Sequence, residues 1–467
     1  MTYRMEHDLI GEREIPSKVY YGVQSLRAKE NFAITGITLS QFPTFISALA
    51  KVKKSVALAN FELGLLKENK KNAICEACDE IIAGKLHDQF IVDMIQGGAG
   101  TSINMNANEV IANRALEILG HKKGEYKFLH PNNDVNLSQS TNDSYPTAFR
   151  IALYEKIYEL IESMRVLRTS FLQKSEEFHD VIKMGRTQLQ DAVPMTLGQE
   201  FHTYVTTMDE DIKILMDAQQ LVREMNLGAT AIGTGINSHP EYACLVEEKL
   251  QEVTGRPFVT AKDLIEATQD TGAYVQISGV LKRVATKISK ICNDLRLLSS
   301  GPRTGFNEIN LPAMQPGSSI MPGKVNPVIP EVVNQVAFQV IGADVTITMA
   351  SEGGQLQLNV FEPVIAYNLF NSINMMKNAF ETLAAKCIDG ITANKEHCLD
   401  LVINSIGLVT ALNPTIGYEN STMVAKEALD TNRSVYDIVL ERKLLTKEEL
   451  DELILPENMI KPRIVCK

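Results

Sequence analysis

The sequence predicts a mainly α-helical protein of several domains, and two observations support this fold class. The chain has 467 residues, which is too long for one small hydrophobic core. Long stretches of apolar residues recur at spacings of three and four, separated by short segments of Gly, Pro and Asn. This spacing places the apolar side chains on one face of a helix. Strands are expected only as brief elements near both ends.

The clearest apolar stretch steps by four and three in strict alternation, as a coiled-coil seam does, and it stops before a Gly-Pro pair. A second seam follows Pro146, and further helical patterns cover roughly 196–226, 328–351 and 363–388. The sequence therefore predicts five long helices in a bundle, with apolar faces wide enough to pack against other subunits. The two seams consist of Ile277, Leu281, Val284, Ile288, Ile291, Leu295 and Leu298, and of Leu153, Ile157, Leu160, Met164 and Leu167.

Changes of pattern along the chain predict three domains. Residues 1–140 mix shorter helices with loops and predict a mixed, mostly helical N-terminal domain. Residues 141–396 hold the long seams and predict the five-helix bundle, and residues 397–467 are more charged and predict a small C-terminal domain.

Composition limits the classes of function. With 45% hydrophobic and 22% charged residues, the chain is typical of a soluble globular protein. The net charge of −11 disfavours a broad surface for nucleic acid or anionic membrane. The N-terminus lacks a signal-peptide core, and no apolar run approaches the ~18 to 20 residues of a membrane span. We therefore expect a cytoplasmic protein without a nucleic-acid or membrane partner.

Seven cysteines are scattered along the chain, which predicts reduced thiols rather than a disulfide framework. Cys75 and Cys78 form a single C-x-x-C pair in a segment of helical pattern, which favours a structural role over metal binding. A glycine-rich stretch at 228–237 lacks the spacing and the lysine of a phosphate loop, so nucleotide binding is rejected.

The most informative segment is the loop 317–327, which places hydroxyls, an ammonium and an amide between two glycines. A Gly/Ser/Pro-rich stretch before a helix is most often only a turn. The Ser318 and Ser319 pair and Lys324 favour another interpretation, because these groups suit the binding and deprotonation of a small dicarboxylate.

The backbone of this loop is expected to move and then to enter a helix. Gly317 and Gly323 allow the segment between them to close over a ligand or to reach strained angles. Asn326 is the predicted N-cap of the helix, and Pro327 or Pro330 is its predicted first residue.

Three other segments are unusually rich in small hydrogen-bonding side chains for a helical protein. Each could be helix-cap chemistry, since Ser, Thr, Asn and Asp compete for backbone groups at helix ends. A glycine run leading into a helix start also offers free N–H groups to an anion. All three clusters suit carboxylates and an ammonium, which favours the binding interpretation. They lie at 97–106, 138–143 and 185–191.

Together these clusters resemble the aspartase/fumarase superfamily of homotetrameric lyases. The loop 317–327 is similar to its GSSxMPxKxNP signature at every fixed position, and the likeness covers essentially the whole chain. The resemblance implies that each subunit gives five helices to a 20-helix core of a homotetramer, and that three subunits build each active site. The other matching segments are 20–23, 97–106, 138–143, 185–194 and 404–407.

Within the superfamily the chain resembles the aspartase branch. Fumarases usually carry His at the position of Gln188, where it is thought to pair with the acid corresponding to Glu331. This chain keeps Glu331 but lacks the imidazole. The segments 139–142, 184–190 and 330–336 also read like aspartases. We hypothesise that Gln188 helps to select ammonia over water.

The resemblance implies reversible anti-elimination of ammonia from L-aspartate, which gives fumarate through an enediolate. It implies no required cofactor and leaves activation by a divalent cation open. Ser318 would be the base, acting as an alkoxide. The roles implied for the other residues are to hold the β-carboxylate (Thr101, Ser140, Thr141, Ser319), the other carboxylate (Lys324, Asn326) and the leaving ammonium (Asn142, Thr187, Gln188).

Two alternatives stay open. The chain could be a fumarate hydratase or a lyase that releases fumarate from a larger substrate such as argininosuccinate, although no added basic pocket is evident. It could also be a helical scaffold that has lost the chemistry. The joint retention of Ser318, Lys324, Asn326, Thr101 and Asn142 argues against the scaffold, which needs none of them.

Overall fold

A computed structural model of the chain describes residues 2–317 and 319–460. Helices hold most of these residues, so the prediction of a mainly α fold is confirmed. The helices are α1 (Val23–Asn31), α2 (Pro43–Glu62), α3 (Glu68–Ile82), α4 (Thr101–Ile118), α5 (Thr141–Glu177), α6 (Leu197–Gln219), α7 (Tyr242–Thr254), α8 (Leu264–Gln269), α9 (Gly272–Leu298), α10 (Val328–Glu352), α11 (Glu362–Lys386), α12 (Lys395–Ile403), α13 (Leu408–Ile416), α14 (Tyr418–Thr431), α15 (Val435–Glu441), α16 (Lys447–Leu453) and α17 (Pro456–Met459).

The strands of the described residues pair into four two-stranded sheets. They are β1 (Tyr3–Asp8), β2 (Gly11–Pro16), β3 (Ile182–Thr187), β4 (Gln190–Thr196), β5 (Glu224–Met225), β6 (Val259–Thr260), β7 (Ile309–Asn310) and β8 (Thr392–Ala393). The expectation of strands only near the ends is therefore wrong for the short strands β5, β6 and β7 and for the β3 and β4 hairpin. Its turn residues are Gln and Leu, so it lacks the Asn-Gly or Asp-Gly signal that marks such hairpins in a sequence.

The chain divides into two compact units. Unit 1 consists of Met1–Ile161, Lys213–Arg283 and Gln339–Met375, and unit 2 of Glu162–Ile212, Val284–Phe338 and Met376–Lys467. The division into domains 1–140, 141–396 and 397–467 stays a prediction.

The five predicted long helices are present as α5, α6, α9, α10 and α11, and each contributes residues to both units. All seam residues of α9 and α5 are buried, with none more than 4% exposed. Burial of an unbroken apolar stripe explains why helices of this length form here.

The start of α5 differs from the prediction, because the helix begins at Thr141 and includes Pro146. Proline has no N–H to donate to the carbonyl four residues earlier, which is that of Asn142. The side chain of Asn226 replaces the missing donor, with its Nδ2 2.9 Å from the Asn142 oxygen. The polar residues 141–145 therefore lie in the first turns of the helix rather than in a loop before it.

In unit 1, aromatic rings join four helices. The ring of Phe149 on α5 lies 6.4 Å from Phe45 of α2, 4.5 Å from Tyr274 of α9 and 5.4 Å from Phe370 of α11, between ring centroids. Such pairs add to the free energy gained by burying the rings. They pack α2 against the first part of α5, and these two helices carry polar residues described below.

In unit 2, α5 and α6 pack through Phe171, Phe178 and Phe201, with centroid separations of 6.4 Å and 5.4 Å to Phe201. The helices α13 to α16 form a separate apolar cluster around Leu412 and Ile438, both fully buried. Unit 2 thus has a core of its own.

The helix α10 has the length and hydropathy of a membrane span, and 33% of its most apolar window is buried within the chain. Core helices of soluble proteins share this property. The expectation that no apolar run approaches a span therefore does not hold for α10. Its sequence contains few charged residues because many positions face either the core or an exposed apolar surface.

Candidate active site

A fully buried ammonium organises the first polar cluster of unit 1. Lys53 on α2 donates to the Oδ1 atoms of Asn104 (2.6 Å) and Asn136 (2.9 Å) and to Oε1 of Gln139 (2.9 Å). Burial lowers the pKa of Lys53 to about 7, although the nearby Asp143 opposes this shift. We call Lys53, Asn104, Asn136 and Gln139 the amide cluster. Three amide oxygens satisfy the three N–H groups of the ammonium, so the cluster is fixed before any ligand arrives.

The amide cluster reaches the predicted site residues at the start of α5. Nδ2 of Asn104 donates to Oγ1 of Thr141 at 3.1 Å, and the backbone N–H of Asn142 donates to Oγ of Ser140 at 3.2 Å. Nδ2 of Asn142 donates to the carbonyl of Ala231 at 2.8 Å. Ser140, Thr141 and Asn142 therefore lie beside the amide cluster in unit 1.

Asp143 is fully buried beside these residues. Its Oδ1 accepts from the Ser140 N–H at 3.0 Å, and its Oδ2 accepts from the N–H groups of Thr230 at 2.8 Å and Gly228 at 3.3 Å. Burial raises the pKa of Asp143 to about 7. The glycine-rich stretch that superficially resembled a phosphate loop therefore binds a carboxylate of the chain itself.

Thr101 lies at the start of α4, also in unit 1, and is exposed. Its Oγ1 donates to the carbonyl of Gly98 at 2.7 Å. Gly100 has a φ of +89°, and a Cβ there would come within 2.5 Å of the Tyr145 ring. Only glycine fits this position, so the close approach to Tyr145 fixes where α4 begins.

In unit 2, Thr187 and Gln188 lie at the tip of the β3 and β4 hairpin and are exposed. The turn consists of Gln188 and Leu189, whose φ angles are 53° and 62°. A two-residue hairpin turn requires such left-handed angles, which residues with a Cβ reach only with strain.

An ion cluster lies at the base of this hairpin. Nη1 of Arg186 donates to Oε1 of Glu308 at 2.6 Å, and the guanidinium lies 4.3 Å from the centroid of Phe306. Nζ of Lys183 lies 2.8 Å from Oε2 of Glu308 and also contacts Glu200. Glu308 is fully buried. The two acids hold the pKa of Lys183 above its usual value although burial alone would lower it.

The signature loop, residues 317–327, is closed at its base by a bond from the Gly317 N–H to the Lys324 carbonyl at 2.7 Å. A Cβ at Gly317 would collide with that carbonyl, and Gly323 has a φ of +82°. Ser319 and Lys324 are exposed. Ser318, the predicted base, lies outside the described residues.

The helix after the loop begins at Val328, between the two predicted prolines and where the helical pattern 328–351 begins. Asn326 is therefore not its N-cap, and neither Pro327 nor Pro330 is its first residue. The Asn326 carbonyl instead accepts from the Val328 N–H at 2.9 Å, a turn imposed by the intervening proline. Pro330 lies in the first helical turn, where a missing N–H breaks no intrahelical bond.

Lys324 and Asn326 line a cavity of about 480 Å³ in unit 2. Arg296, Asn307 and Asn310 also line it. A cavity with a guanidinium, an ammonium and several amides suits a small anion with carboxylate groups.

The predicted residues thus fall into separate clusters. Unit 1 holds Thr101, Ser140, Thr141 and Asn142, and the described site residues of unit 2 are Thr187, Gln188, Ser319, Lys324 and Asn326. Within residues 2–317 and 319–460, no group of three or more His, Cys, Asp or Glu side chains is arranged to hold a metal ion.

Sequence reasoning missed Lys53, the centre of the amide cluster. One signal was available, because Lys53 lies four residues after Leu49 and three before Val56, both fully buried. A lysine on the apolar face of a helix needs a buried partner.

Comparison with known proteins identifies the family. A family model described as lyase matches residues 11–342, and one described as fumarase C C-terminus matches residues 408–461. The chain belongs to the aspartase/fumarase superfamily of lyases.

The relatives include enzymes of the aspartase branch. The chain is 68% identical to an aspartate ammonia-lyase of Helicobacter pylori, with 99% of each chain covered. It is 57% identical to that of Escherichia coli, which covers 99% of this chain and 97% of the relative. Among solved structures, it superposes on a fumarate lyase:delta crystallin from Brucella melitensis bound to cobalt with a TM-score of 0.97, at 52% identity over 99% of this chain and 100% of the other.

A class II fumarase from Schistosoma mansoni is also similar, with a TM-score of 0.92 at 34% identity over 98% of this chain and 99% of the other. The fold is thus common to both branches, whereas identity is higher in the aspartase branch.

Proposed function

We propose that this chain catalyses the reversible deamination of L-aspartate to fumarate and ammonia, as a carbon-nitrogen lyase. The observation that carries the proposal is the 57% to 68% identity to aspartate ammonia-lyases over 99% of the chain. The amide Gln188, in place of the imidazole usual in fumarases, is consistent with it.

The difficult step is removal of a proton from the carbon next to the β-carboxylate, because the resulting enediolate gathers negative charge on that carboxylate. Ser318 is the proposed base, acting as an alkoxide. A serine hydroxyl is a very weak acid, so nearby N–H groups and cations must lower its pKa strongly. Closure of the signature loop over the substrate would expel water and strengthen these contacts.

The β-carboxylate is assigned to Thr101, Ser140, Thr141 and Ser319. Two of these residues have support from unit 1, where Thr141 accepts from Asn104 and the Ser140 hydroxyl accepts from the backbone of the following turn. Donors that are already oriented stabilise developing charge without reorganising during the reaction.

The other carboxylate is assigned to Lys324 and Asn326, which line the 480 Å³ cavity. The leaving ammonium is assigned to Asn142, Thr187 and Gln188. The amino group is already an ammonium on the substrate and leaves as neutral ammonia, so it needs hydrogen-bond acceptors rather than a strong acid, and carbonyl and hydroxyl oxygens supply them.

These residues supply a base and donors, so we propose that the reaction requires no cofactor. Assay with and without a chelator, and with added Mg²⁺, tests both this statement and activation by divalent cations. We also propose that the protein is cytoplasmic. Its net charge of −11 supports the further proposal that it has no nucleic-acid or membrane partner.

We propose a homotetramer with a 20-helix core and active sites shared between three subunits. Large apolar side chains on α10 are exposed in the single chain, which suits a buried subunit interface. They are Val332, Phe338, Val345 and Met349. Light scattering of the purified protein should give four times the mass of the chain, and fully active monomers on dilution would contradict the shared sites.

The central experiment supplies L-aspartate, L-malate and argininosuccinate in separate reactions and follows fumarate and ammonia. Fumarate and ammonia from aspartate are expected. Fumarate from malate alone would establish a hydratase instead, and fumarate from argininosuccinate would establish the larger substrate. A folded protein inactive on all three would be a scaffold.

The base is tested by Ser318→Ala, which should abolish turnover while aspartate binding is retained. Undiminished activity of this variant would remove Ser318 from the mechanism.

A further inference from the structure

The hairpin that carries Thr187 and Gln188 is irregular at two points. Its turn places two residues with side chains, Gln188 and Leu189, at left-handed φ angles. The strand register also shifts between Met184 and Arg186. A turn that costs conformational energy persists only where the surrounding structure holds it.

The first contact that holds the hairpin is the ion cluster on β3. Arg186, two residues before Gln188, donates to Oε1 of Glu308 at 2.6 Å, and Lys183 lies 2.8 Å from the other oxygen. Glu308 is itself fixed, because its N–H donates to the Leu298 carbonyl and its carbonyl accepts from the Asn394 N–H, both at 2.9 Å.

The second contact is on β4, two residues after the turn. Oγ of Ser405 donates to Oδ2 of Asp191 at 2.7 Å, and the Gly407 N–H donates to the same Ser405 oxygen at 3.0 Å. A Cβ at Gly407 would come within 2.6 Å of the Ala192 carbonyl, so this segment packs directly on β4. Ser405 is only 4% exposed.

We propose that Glu308 and Ser405 are positioning residues that clamp the two strands of the hairpin and thereby present Thr187 and Gln188 to the leaving ammonium. This inference rests on the proposed function. It assigns the choice of ammonia not only to Gln188 but also to two buried residues that touch no substrate.

The charge of the clamp suits this role. Lys183 and Arg186 are balanced by Glu200 and Glu308, so the ion cluster carries no net charge. The charges of the ion cluster therefore cancel, and we assign its effect to geometry, whereas the Asp191 carboxylate bonded to Ser405 lies outside this balance. A displacement of about 1 Å in a positioning group is enough to change catalysis strongly.

The test uses Ser405→Ala and the reverse reaction, in which fumarate and ammonia form aspartate. Loss of one hydrogen bond to a charged group should raise the KM for ammonia about five- to tenfold. The KM for fumarate should stay within about twofold, because the carboxylate groups lie elsewhere. A merely structural loss would lower the active fraction, and hence kcat, without moving either KM.

Ser421→Ala is the matched control, since its hydroxyl is also buried and donates to Asn413 at 3.2 Å within unit 2 but lies outside the hairpin. The KM for ammonia should be unchanged in this variant. An unchanged KM for ammonia in Ser405→Ala would overturn the proposal that Ser405 positions the hairpin.

A double-mutant cycle gives a second, independent test. If Ser405 acts through Gln188, then Ser405→Ala should have little further effect in a Gln188→Ala background. Independent, multiplicative effects would overturn the inference. Glu308→Gln is the stronger change and should raise the KM for ammonia further, but removal of a buried charge also risks misfolding, so the cycle is built on Ser405.

The wild-type protein separates the two levels of failure. If it makes no ammonia from aspartate, the proposed function falls and this inference falls with it. If it is active and the effects of Ser405→Ala and Gln188→Ala multiply, only the positioning role of Ser405 is overturned.

Discussion

The amide cluster of unit 1 and the signature loop of unit 2 each contain a lysine, and the surroundings of the two lysines differ. The amide cluster is centred on Lys53, whose ammonium is fully buried and donates hydrogen bonds to three amide oxygens. The signature loop is exposed at Ser319 and Lys324. Within residues 2–317 and 319–460, no hydrogen bond or ion pair holds the Lys324 ammonium.

This difference separates two ways of binding one substrate. Groups that are bonded in advance lose no freedom when the substrate arrives, so they suit the carboxylate on which charge develops. An exposed ammonium such as that of Lys324 is ordered by its ligand, and part of the binding free energy is used for that ordering. We therefore expect substitutions in the loop to affect catalysis alone and substitutions in the amide cluster to affect both stability and catalysis.

Among the described residues of the loop and of the amide cluster, the largest expected effect on catalysis is that of Lys324→Ala. Because the ammonium has no partner in the described chain, its loss should leave the melting temperature unchanged. The variant should lose a charge-assisted bond to substrate, which lowers kcat/KM for aspartate by about 10²- to 10³-fold. Steady-state kinetics and thermal unfolding measure the two effects.

Lys426→Ala is the control for Lys324→Ala, since Lys426 is an exposed lysine of α14 in the same unit. It should leave both quantities unchanged. A clear loss of stability in Lys324→Ala would contradict the view that the Lys324 side chain does not stabilise the fold.

We expect Lys53→Met to lower both the stability and the activity of the protein. The substitution removes one donor from each of three amide oxygens, of which those of Asn104 and Asn136 keep another donor. It should lower the free energy of unfolding by about 1 to 3 kcal/mol. Activity should fall about tenfold as the start of α5 shifts. Denaturant unfolding and kinetics on the same protein test the pair of effects.

The neighbouring Lys54→Met provides the control. Lys54 forms a partly exposed ion pair with Asp79 at 2.6 Å, so its loss should cost less than about 1 kcal/mol. Equal effects at both lysines would remove the distinction between the amide cluster and an ordinary helix surface.

The helices were predictable from the sequence because their signal repeats over many turns. The seam from Ile277 to Leu298 contains seven apolar residues at alternating steps of four and three, and all of them are buried on one face of α9. The polar clusters at 97–106, 138–143 and 185–191 were visible because runs of Ser, Thr and Asn are rare in such a chain. The role of Ser318 stays a prediction.

The contacts of these clusters were not predictable from local pattern. Lys53 bonds to residues 51, 83 and 86 positions away, and no sequence period links them. The clamp joins Arg186 to Glu308 and Asp191 to Ser405 across 122 and 214 positions. Pro146 misled the prediction because the donor that replaces its N–H comes from the distant Asn226.

The smallest expected effect concerns Glu109, which is as buried as Lys53 but carries the opposite charge. Its carboxylate accepts from the backbone of Gly22, Gln24 and Ser25 at the start of α1. Burial raises its pKa to about 7, and the nearby Glu6 adds to this, against the hydrogen bonds that lower it.

Glu109 should therefore couple stability to pH. Its folded pKa lies above the unfolded value of 4.5, so the folded state binds more protons between these two values. The stabilisation is fully present below the unfolded value and is lost as the pH rises through about 7.

Glu109→Gln, which cannot titrate, should lower the difference in melting temperature between about pH 5 and about pH 8. Burial raises the pKa of Asp143 and lowers that of Lys53, each to about 7. Both groups are present in the variant and in wild type, so the comparison isolates Glu109. Glu76→Gln, at an exposed position of α3, should leave the pH dependence as it is. An identical slope in Glu109→Gln and wild type would mean that backbone N–H groups keep this carboxylate ionised, as the amide oxygens hold Lys53 in place.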